Sequence, residues 1–381
     1  MSDFGFLLVV VLLLYLLECV AWVPVGSVAF RLPSSSKRPI RMLTKPRAVA
    51  GSSIAFSLPF SVGSGVIVCS PMPVSLCPQG IALNPRLVTA FERREFIAFE
   101  DMHRIEPAQQ NLLINGSLFV AASSEIQAIE LAEVLKRLKQ EKVTDRPAVI
   151  EKEIARSLDA GLMYSRLQDY ADKTRQLKFD SLVLFGLIFL VSPIAVWRWG
   201  LPAAWPFLLS ALLLNVLLIA WDLSRTDHEL FPKEREVRWQ AIVMVLLSPP
   251  AALHATKYLA RDFGRGCHPL ALAAARCSET DFRELAAWVL RDVKFAPERG
   301  EGTTDPRAAD CGKWFRQRLQ MAMCSLVRNK GHSPDELIAP PTRESEYVQS
   351  YCPRCLCQFV IREGACKDCG EISLRAFDGV P

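Results

Sequence analysis

Two apolar runs in the middle of the chain decide its fold: SLVLFGLIFLVSPIAV at residues 181–196 and AAWPFLLSALLLNVLLIA at residues 203–220. Each run is nearly free of charge and approaches the roughly 20 residues that a helix needs to cross the hydrocarbon core of a bilayer. The short connection WRWGLP at residues 197–202 requires the two helices to run antiparallel. The pattern predicts a transmembrane helical hairpin over residues 179–222, since a pair of buried helices in a soluble protein would carry more charge.

A third apolar run, residues 4–23, lies at the N-terminus and consists mostly of Leu and Val. We interpret residues 1–23 as an uncleaved transmembrane anchor. A cleaved signal peptide is the alternative, but Met1–Asp3 carries no Lys or Arg, and no A-x-A cleavage site follows the run. Glu18 also stands where a lipoprotein signal requires a small residue. Glu18 and Asn215 are the main polar intrusions into the apolar runs, and such groups are candidates for function.

The segment 240–260 starts as an apolar helix and breaks at Ser248-Pro249-Pro250. Basic residues flank it on both sides, whereas a spanning helix separates a basic side from a side with fewer Lys and Arg. We therefore predict a proline-broken segment that is interfacial or re-entrant, with a fourth transmembrane span as the alternative.

The distribution of Lys and Arg predicts the orientation of the chain. Clusters of basic residues follow the first apolar run, precede residue 181 and follow residue 220, whereas the hairpin connection carries only Arg198. Because Lys and Arg concentrate on the cytoplasmic side, we expect the N-terminus outside and residues 24–178 in the cytoplasm. With three spans the C-terminus is cytoplasmic as well. The predicted location is the cell membrane, meaning a plasma or inner membrane.

The remaining segments divide into modules by composition. The prediction is a basic juxtamembrane linker at residues 24–50, a small α+β domain at 51–143, a helical connector at 144–178, a helical region at 261–330 and a linker at 331–350.

The α+β domain has a recognisable order of elements. Short apolar stretches at residues 65–69 and 95–99 are bounded by Gly and Pro, as strands are. Asn115-Gly116 lies between two apolar stretches and supplies the positive φ of a type I′ hairpin turn. An amphipathic helix follows Ser124. This order of strands, hairpin and closing helix resembles pleckstrin-homology-like domains, and the resemblance implies a module that binds a lipid headgroup or a protein.

The last part of the chain carries two C-x-x-C pairs, Cys352-Pro353-Arg354-Cys355 and Cys366-Lys367-Asp368-Cys369. Four thiolates complete the tetrahedral shell that Zn²⁺ favours, so these four cysteines are the predicted metal ligands. Residues 351–375 resemble zinc ribbons with rubredoxin-like knuckles, and the resemblance implies structural Zn²⁺ as the cofactor.

Two features depart from the usual zinc-ribbon pattern: the gap between the pairs is short, and Leu356 replaces the Gly that often follows the first pair. Cys357 is an additional thiol that we do not expect to be a ligand. Redox chemistry is the alternative, but no βαβ pattern surrounds the pairs, and a full shell leaves no position for a catalytic water. The predicted fold class is a polytopic α-helical membrane protein with a small soluble α+β domain and a C-terminal zinc ribbon.

The sequence contains no motif that demands a reaction. It lacks phosphate-binding Gly loops and the G-x-S-x-G, H-E-x-x-H and EF-hand patterns. We therefore assign no catalytic or cofactor-binding residue, and an enzyme is the less favoured class. Cys267, His268 and Cys277 suggest a second metal site, but two cysteines packed against the helix that starts at Pro269 explain them better.

The predicted function is a membrane-anchored adaptor or assembly protein whose structural zinc ribbon docks a partner. The alternatives are an accessory subunit of a membrane transporter or membrane enzyme complex and, less favoured, a membrane-tethered nucleic-acid binder. The net charge of +5 is mild, so we do not expect a nucleic-acid partner. The expected partners are the lipid bilayer and a protein that binds the ribbon or residues 51–143.

Overall fold

The computed structural model describes residues 21–24, 28–30, 41–43, 54–57, 67–70, 74–83, 95–109, 111–122, 125–232, 234–253, 255–259, 264–276, 279–295, 305–369 and 372–377. These residues form a mostly helical protein with several small sheets. The chain divides into two units. The hairpin unit contains residues 165–263, and the ribbon unit contains residues 69–164 and 264–381, each with shorter segments from the first 68 residues.

The helices follow the apolar and amphipathic segments of the sequence. In chain order they are α1 (Glu125–Gln140), α2 (Arg146–Ser157), α3 (Ala160–Lys173), α4 (Arg175–Gly186), α5 (Ser192–Trp199), α6 (Leu201–Leu230), α7 (Arg235–Leu247), α8 (Pro249–Leu253), α9 (Thr256–Leu259), α10 (Pro269–Arg276), α11 (Glu279–Lys294), α12 (Pro306–Asn329) and α13 (Pro334–Leu337). A π-helical turn lies at Leu187–Val191, and 3₁₀ turns lie at Phe99–Asp101 and Lys367–Cys369.

The strands are short. They are β1 (Ala21–Pro24), β2 (Val28–Phe30), β3 (Arg41–Leu43), β4 (Ile54–Ser57), β5 (Ile67–Ser70), β6 (Val74–Cys77), β7 (Gly80–Leu83), β8 (Phe96–Ala98), β9 (Ile105–Ala108), β10 (Asn111–Ile114), β11 (Ser117–Ala121), β12 (Gly264–Arg265), β13 (Ser350–Tyr351), β14 (Gln358–Phe359), β15 (Ala365–Cys366), β16 (Ile372–Ser373) and β17 (Arg375–Ala376). β6, β7 and β8 form one antiparallel sheet, and β9, β10 and β11 form another.

Two helices of the hairpin unit are long and apolar enough to cross a membrane. The first, Arg175–Trp199, is continuous through α4, the π-helical turn and α5, and the second is α6. Large apolar side chains cover their outer faces, and Trp197 is 87% exposed. These are the two helices that the apolar runs predict, and both extend beyond residues 179–222 because their polar ends remain helical.

The expectation of a polytopic protein with three or four spans is not supported, because the part of the chain that the structure describes contains two candidate spans. Most of the predicted N-terminal anchor, residues 1–20, lies outside the described residues. The segment 240–260 breaks where the sequence predicts: α7 ends at Leu247, Ser248 is extended, and α8 and α9 are short. Proline disfavours helical backbone in the residue before it, which explains the break.

The hairpin unit has an apolar core of its own, formed by α4, α6, α7 and α8. Its buried members include Leu177, Leu184, Val216, Ile219, Leu223, Val245 and Leu253. A buried ion pair fixes the connection between α6 and α7, where Arg238 Nε lies 2.9 Å from Asp227 Oδ2. Arg238 Nη2 also donates to the Phe231 carbonyl at 2.9 Å. A buried charge is tolerated when it is both paired and hydrogen-bonded, as here.

The Asn115-Gly116 turn in the ribbon unit has the predicted conformation. The backbone φ is +54° at Asn115 and +83° at Gly116, and the flanking strands β10 and β11 pair antiparallel. The Asn115 side chain accepts from the amides of His103 and Arg104 at 2.8 and 3.0 Å and donates to the Asp101 carbonyl at 2.7 Å. The turn therefore holds the loop between the first 3₁₀ turn and β9.

The sheet of β6, β7 and β8 leaves no room for a side chain at Gly80. A Cβ there would lie 2.3 Å from the Ile97 carbonyl oxygen and 2.8 Å from Phe96 Cζ. This sheet, β10 and α1 share the main core of the ribbon unit, which includes Leu76, Ile81, Leu112, Leu131, Leu135 and Leu138. The apolar stripe that the sequence predicts for α1 is the side that faces this core.

Arg146, in the first turn of α2, is a buried cation that is 5% exposed. Its Nε donates to the Leu138 carbonyl at 2.8 Å, within the last turn of α1, and to the Glu141 carbonyl at 3.2 Å, just beyond the helix. Its Nη1 donates to the Pro78 carbonyl at 2.9 Å, in the β6–β7 turn. The guanidinium also lies 4.8 Å from the centroid of the Phe99 ring. One side chain thus joins α1, α2, the β6–β7 turn and the first 3₁₀ turn.

We expect Arg146→Met to lower the free energy of unfolding by about 2–4 kcal/mol, because several carbonyl oxygens lose a charged donor. Denaturant titration of the purified chain in detergent, followed by circular dichroism, measures the loss. Arg104→Met is the matched control, since Arg104 is exposed and pairs with Glu106 at the surface. It should change the free energy of unfolding by less than about 0.5 kcal/mol. An equal loss of unfolding free energy in the two variants would argue against the role of Arg146 in joining these elements.

Candidate metal centre

Short strands near the C-terminus bring the two C-x-x-C pairs together. The first pair occupies the turn between β13 and β14, which belong to a three-stranded sheet with β17. The second pair begins in β15, which pairs with β16, and ends in the 3₁₀ turn at Lys367–Cys369. Each pair thus lies at a tight turn beside its own small sheet, and the two turns face each other.

The four sulfur atoms of Cys352, Cys355, Cys366 and Cys369 lie within 4.8 Å of one another. The Cys355 and Cys366 sulfurs are 3.8 Å apart. A tetrahedral ion with Zn–S bonds of about 2.3 Å requires sulfurs roughly 3.8 Å apart, so the arrangement fits such an ion. Three of the four cysteines are buried, and Cys355 is partly exposed. The predicted ligands therefore form a cluster that can hold a metal ion.

The first knuckle shows why Leu356 is unusual in its place. Its φ is +64°, in the left-handed region that favours glycine. The Leu356 amide donates to the Cys352 carbonyl at 2.8 Å, and the Cys352 amide donates to the Cys357 carbonyl at 2.9 Å. Cys357 itself is exposed and is not part of the cluster. Gly370, after the second pair, lies outside the described residues.

The thiols of the cluster shift one another's proton affinity. Burial raises the pKa of Cys366 and Cys369, and hydrogen bonds with neighbouring cysteines raise it further. Burial also acts to raise the pKa of Cys352, but the amides of Cys355 and Arg354 donate to its sulfur and hold the pKa below its usual value. Three of the four thiols, those of Cys355, Cys366 and Cys369, therefore resist ionisation. A divalent cation would remove that resistance and release protons as it binds.

The knuckles are attached to the helical part of the ribbon unit through Arg354. Its Nη2 and Nε lie 2.6 and 2.8 Å from Asp292 Oδ1 in α11. Its Nη1 donates to the Cys369 carbonyl at 3.2 Å, which joins the first knuckle to the second. The Arg375 guanidinium lies 4.8 Å from the Phe295 ring centroid, just after α11. The ribbon is therefore docked on α11 by two arginines that the sequence analysis did not single out.

The segment before the ribbon, which the sequence analysis treats as a linker, contains α13 and makes contacts at both ends. Leu337 is buried in the main core, and its carbonyl accepts from Arg291 Nη1 at 3.2 Å. Gln358 Nε2 donates to the Thr342 carbonyl at 2.8 Å, and the Glu344 amide donates to Gln358 Oε1 at 3.0 Å. These contacts continue the attachment between the helical residues and the ribbon.

Two acidic residues in the hairpin unit were missed by the sequence analysis. Asp180 in α4 is buried, and Gln176 Nε2 donates to its Oδ1 at 3.1 Å. Asp222 in α6 lies near it. Asp180 and Asp222 lie just outside the apolar runs, so a search within the runs finds Asn215 instead. Asn215 is buried as well. Glu18 lies outside the described residues.

The second candidate metal site, Cys267 with His268 and Cys277, has different surroundings. Cys267 is buried, and His268 Nδ1 accepts from the Leu270 amide at 3.2 Å. Burial lowers the pKa of His268 to about 4, so its imidazole is neutral at physiological pH. Cys277 lies outside the described residues.

Comparisons with protein families, curated proteins and solved structures give no match for this chain. The zinc-ribbon resemblance therefore rests on the cysteine cluster. The pleckstrin-homology-like resemblance stays a prediction.

We expect a Cys366→Ser, Cys369→Ser variant to lose bound zinc, because each substitution removes a sulfur from the cluster. Elemental analysis of the purified chain after dialysis measures the metal. Cys357→Ser is the matched control, since this exposed thiol lies outside the cluster; it should keep the zinc content of the wild type. Loss of zinc from the control would mean that Cys357 is a ligand.

We expect Leu356→Gly to hold the metal more tightly, because glycine adopts the left-handed backbone without the cost of about 1–2 kcal/mol that a Cβ brings. Competition with a chromogenic chelator measures the difference. Leu356→Ala is the matched control, since it shortens the side chain and keeps the Cβ. If alanine gains as much as glycine, side-chain bulk and not backbone conformation limits the wild type.

Proposed function

We propose that this chain is a membrane-anchored adaptor or assembly protein whose zinc ribbon docks a partner protein. The observation that carries the proposal is the convergence of four sulfurs on one another. Cys352, Cys355, Cys366 and Cys369 would hold Zn²⁺ with a full shell, and such an ion stabilises the fold without offering a position for substrate. A ribbon of this kind acts through its surface.

The membrane part of the proposal is supported by the outer faces of α5 and α6. Large apolar side chains are exposed there, and exposing them to water is unfavourable. They include Trp197, Trp199, Phe207, Leu213, Leu214, Leu217 and Trp221. A bilayer would bury them. In the proposed topology the N-terminal run is an additional anchor, and the basic clusters keep residues 24–178 and the C-terminus in the cytoplasm.

The docking part of the proposal is supported by exposed apolar residues on the ribbon. Val360 and Ile361, in the connection between β14 and β15, are 67% and 51% exposed. Tyr347, which precedes β13, is also exposed. Aromatic and aliphatic side chains of this kind are enriched in the central parts of protein interfaces. Arg362 and Glu363 follow directly and would form a polar rim.

An accessory subunit of a membrane transporter or enzyme complex is the second candidate. The Asp180–Asp222 contact favours it, because ionisable groups between candidate spans are costly and are usually retained for a function. In this reading the exposed faces of the hairpin pack against helices of a larger complex. Such a role predicts a stoichiometric membrane complex on purification.

The test combines topology with a zinc-dependent crosslink. A reporter fused after Pro381 should be active in the cytoplasm. A photoreactive amino acid at position 360 should give a discrete crosslinked product in cells, and the product should disappear in the Cys366→Ser, Cys369→Ser variant. The same probe at exposed Arg104 is the matched control and should not give this product.

Three outcomes would contradict the adaptor reading. An external C-terminus would place the ribbon away from cytoplasmic partners. An unchanged product without the zinc ligands would show that the metal-bound ribbon is not needed for docking. No product from position 360, with one from membrane-facing Leu214 instead, would favour the accessory-subunit reading.

A further inference from the structure

Two buried cysteines far apart in the sequence meet in the ribbon unit. Cys77 ends β6, and Cys311 lies in the second turn of α12. They are 3% and 2% exposed. Both belong to a small apolar cluster with Ala82, Phe96 and Ala308. Neither is one of the predicted zinc ligands, and both are free thiols.

The two sulfur atoms share one backbone neighbour. Cys77 Sγ lies 3.4 Å from the Gly80 carbonyl oxygen, and Cys311 Sγ lies 3.9 Å from the same oxygen. Cys311 Sγ also lies 3.4 Å from the Ser75 carbonyl oxygen. The two sulfurs are also close enough for each to shift the other's pKa. The strand that carries the shared carbonyl packs closely against β8, since a Cβ at Gly80 would lie 2.3 Å from the Ile97 carbonyl oxygen.

Their proximity makes the two thiols chemically different. The neighbouring Cys311 thiol, with smaller contributions from the amides of Gln79 and Gly80, lowers the pKa of Cys77 to about 7 despite its burial. The Cys77 sulfur, together with burial, raises the pKa of Cys311 above its usual value. Of the two thiols, Cys77 is therefore the one that ionises more readily, and Cys311 is the one that keeps its proton. A nucleophilic thiolate beside a protonated thiol is the pairing that thiol oxidation needs.

We propose that Cys77 and Cys311 form a redox-active dithiol, which hydrogen peroxide oxidises to a disulfide that joins β6 to α12. The Cys77 thiolate attacks one peroxide oxygen, the O–O bond breaks, and the products are a sulfenic acid on Cys77 and hydroxide. The Cys311 sulfur then attacks the sulfenic sulfur. The S–S bond forms, and the sulfenic hydroxyl leaves as water with the proton of Cys311. Peroxide accepts two electrons overall, and the two thiols supply them.

The proposed disulfide would act on the start of α12. Asp305 caps this helix by accepting from the Arg307 amide at 2.9 Å, and the Asp305 amide donates to Glu95 Oε2 at 2.8 Å. The contact with Glu95 thus already holds the N-terminal end of α12 beside β8. A covalent bond at Cys311 would make that attachment permanent under oxidising conditions and reversible by a thiol reductant. This inference does not rest on the proposed docking function.

The test uses the full-length, zinc-loaded chain in detergent, treated with hydrogen peroxide, blocked with N-ethylmaleimide and digested. Mass spectrometry should find a peptide pair joined through Cys77 and Cys311 that increases with peroxide and disappears on reduction. In Cys311→Ser, dimedone should trap a sulfenic acid on Cys77. In Cys77→Ser, Cys311 should stay unmodified by dimedone. Cys324→Ser, outside the pair, should form the same joined peptides as the wild type.

The wild-type measurement decides the proposal even where a variant folds poorly. If Cys77 and Cys311 are both recovered with N-ethylmaleimide at undiminished yield after oxidation, while exposed Cys357 is oxidised, the pair is only packed and the proposal is wrong. Joined peptides between Cys77 and a ribbon cysteine would also contradict it. Zinc content, measured in the same samples, separates these results from damage to the metal centre.

Discussion

The guanidinium of Arg146 joins the helices and the sheet that share the main core of the ribbon unit. Helix α1 ends with carbonyl groups that have no partner within the helix, and a cation at this end is favoured by the helix dipole. Arg146 supplies the cation and donates at the same time to the Pro78 carbonyl in the β6–β7 turn. Strands β6 and β7 are thereby placed against α1, and α12 packs on these strands beside Cys77. The Arg146 guanidinium in α2 thus helps to place the strand that carries Cys77, one member of the thiol pair.

The ribbon depends on a different kind of constraint. Its apolar cluster consists largely of the cysteines themselves, with Phe359, Ile372 and Leu374 packed against them. A core of this size supplies little folding free energy, so in small metal modules the bound ion supplies most of it. Arg354 adds to the stability that the metal would give, because its guanidinium contacts both Asp292 in α11 and the Cys369 carbonyl in the second knuckle. Metal binding and docking on α11 should therefore stabilise each other.

Local patterns were enough to predict part of this architecture. The apolar runs, the Asn115-Gly116 turn, the break at Ser248 and the C-x-x-C pairs all depend on neighbours within a few residues, and each lies where the sequence places it. The contacts of Arg354 with Asp292 and of Cys77 with Cys311 join distant segments and leave no periodic signal. Asp180 and Asp222 were missed for another reason: they stand at the polar ends of helices that extend beyond their apolar runs.

The crowding at Gly80 has a consequence for the history of the chain. A methyl group there would lie 2.3 Å from a backbone oxygen, and backbone cannot yield as a flexible side chain can. Any other amino acid at position 80 would therefore require β7 to move away from β8. Divergent homologues should keep glycine three residues after a β6 cysteine, even where the apolar helices have exchanged one aliphatic residue for another. That short signature offers a better filter for remote ancestry than the composition of the two long apolar helices.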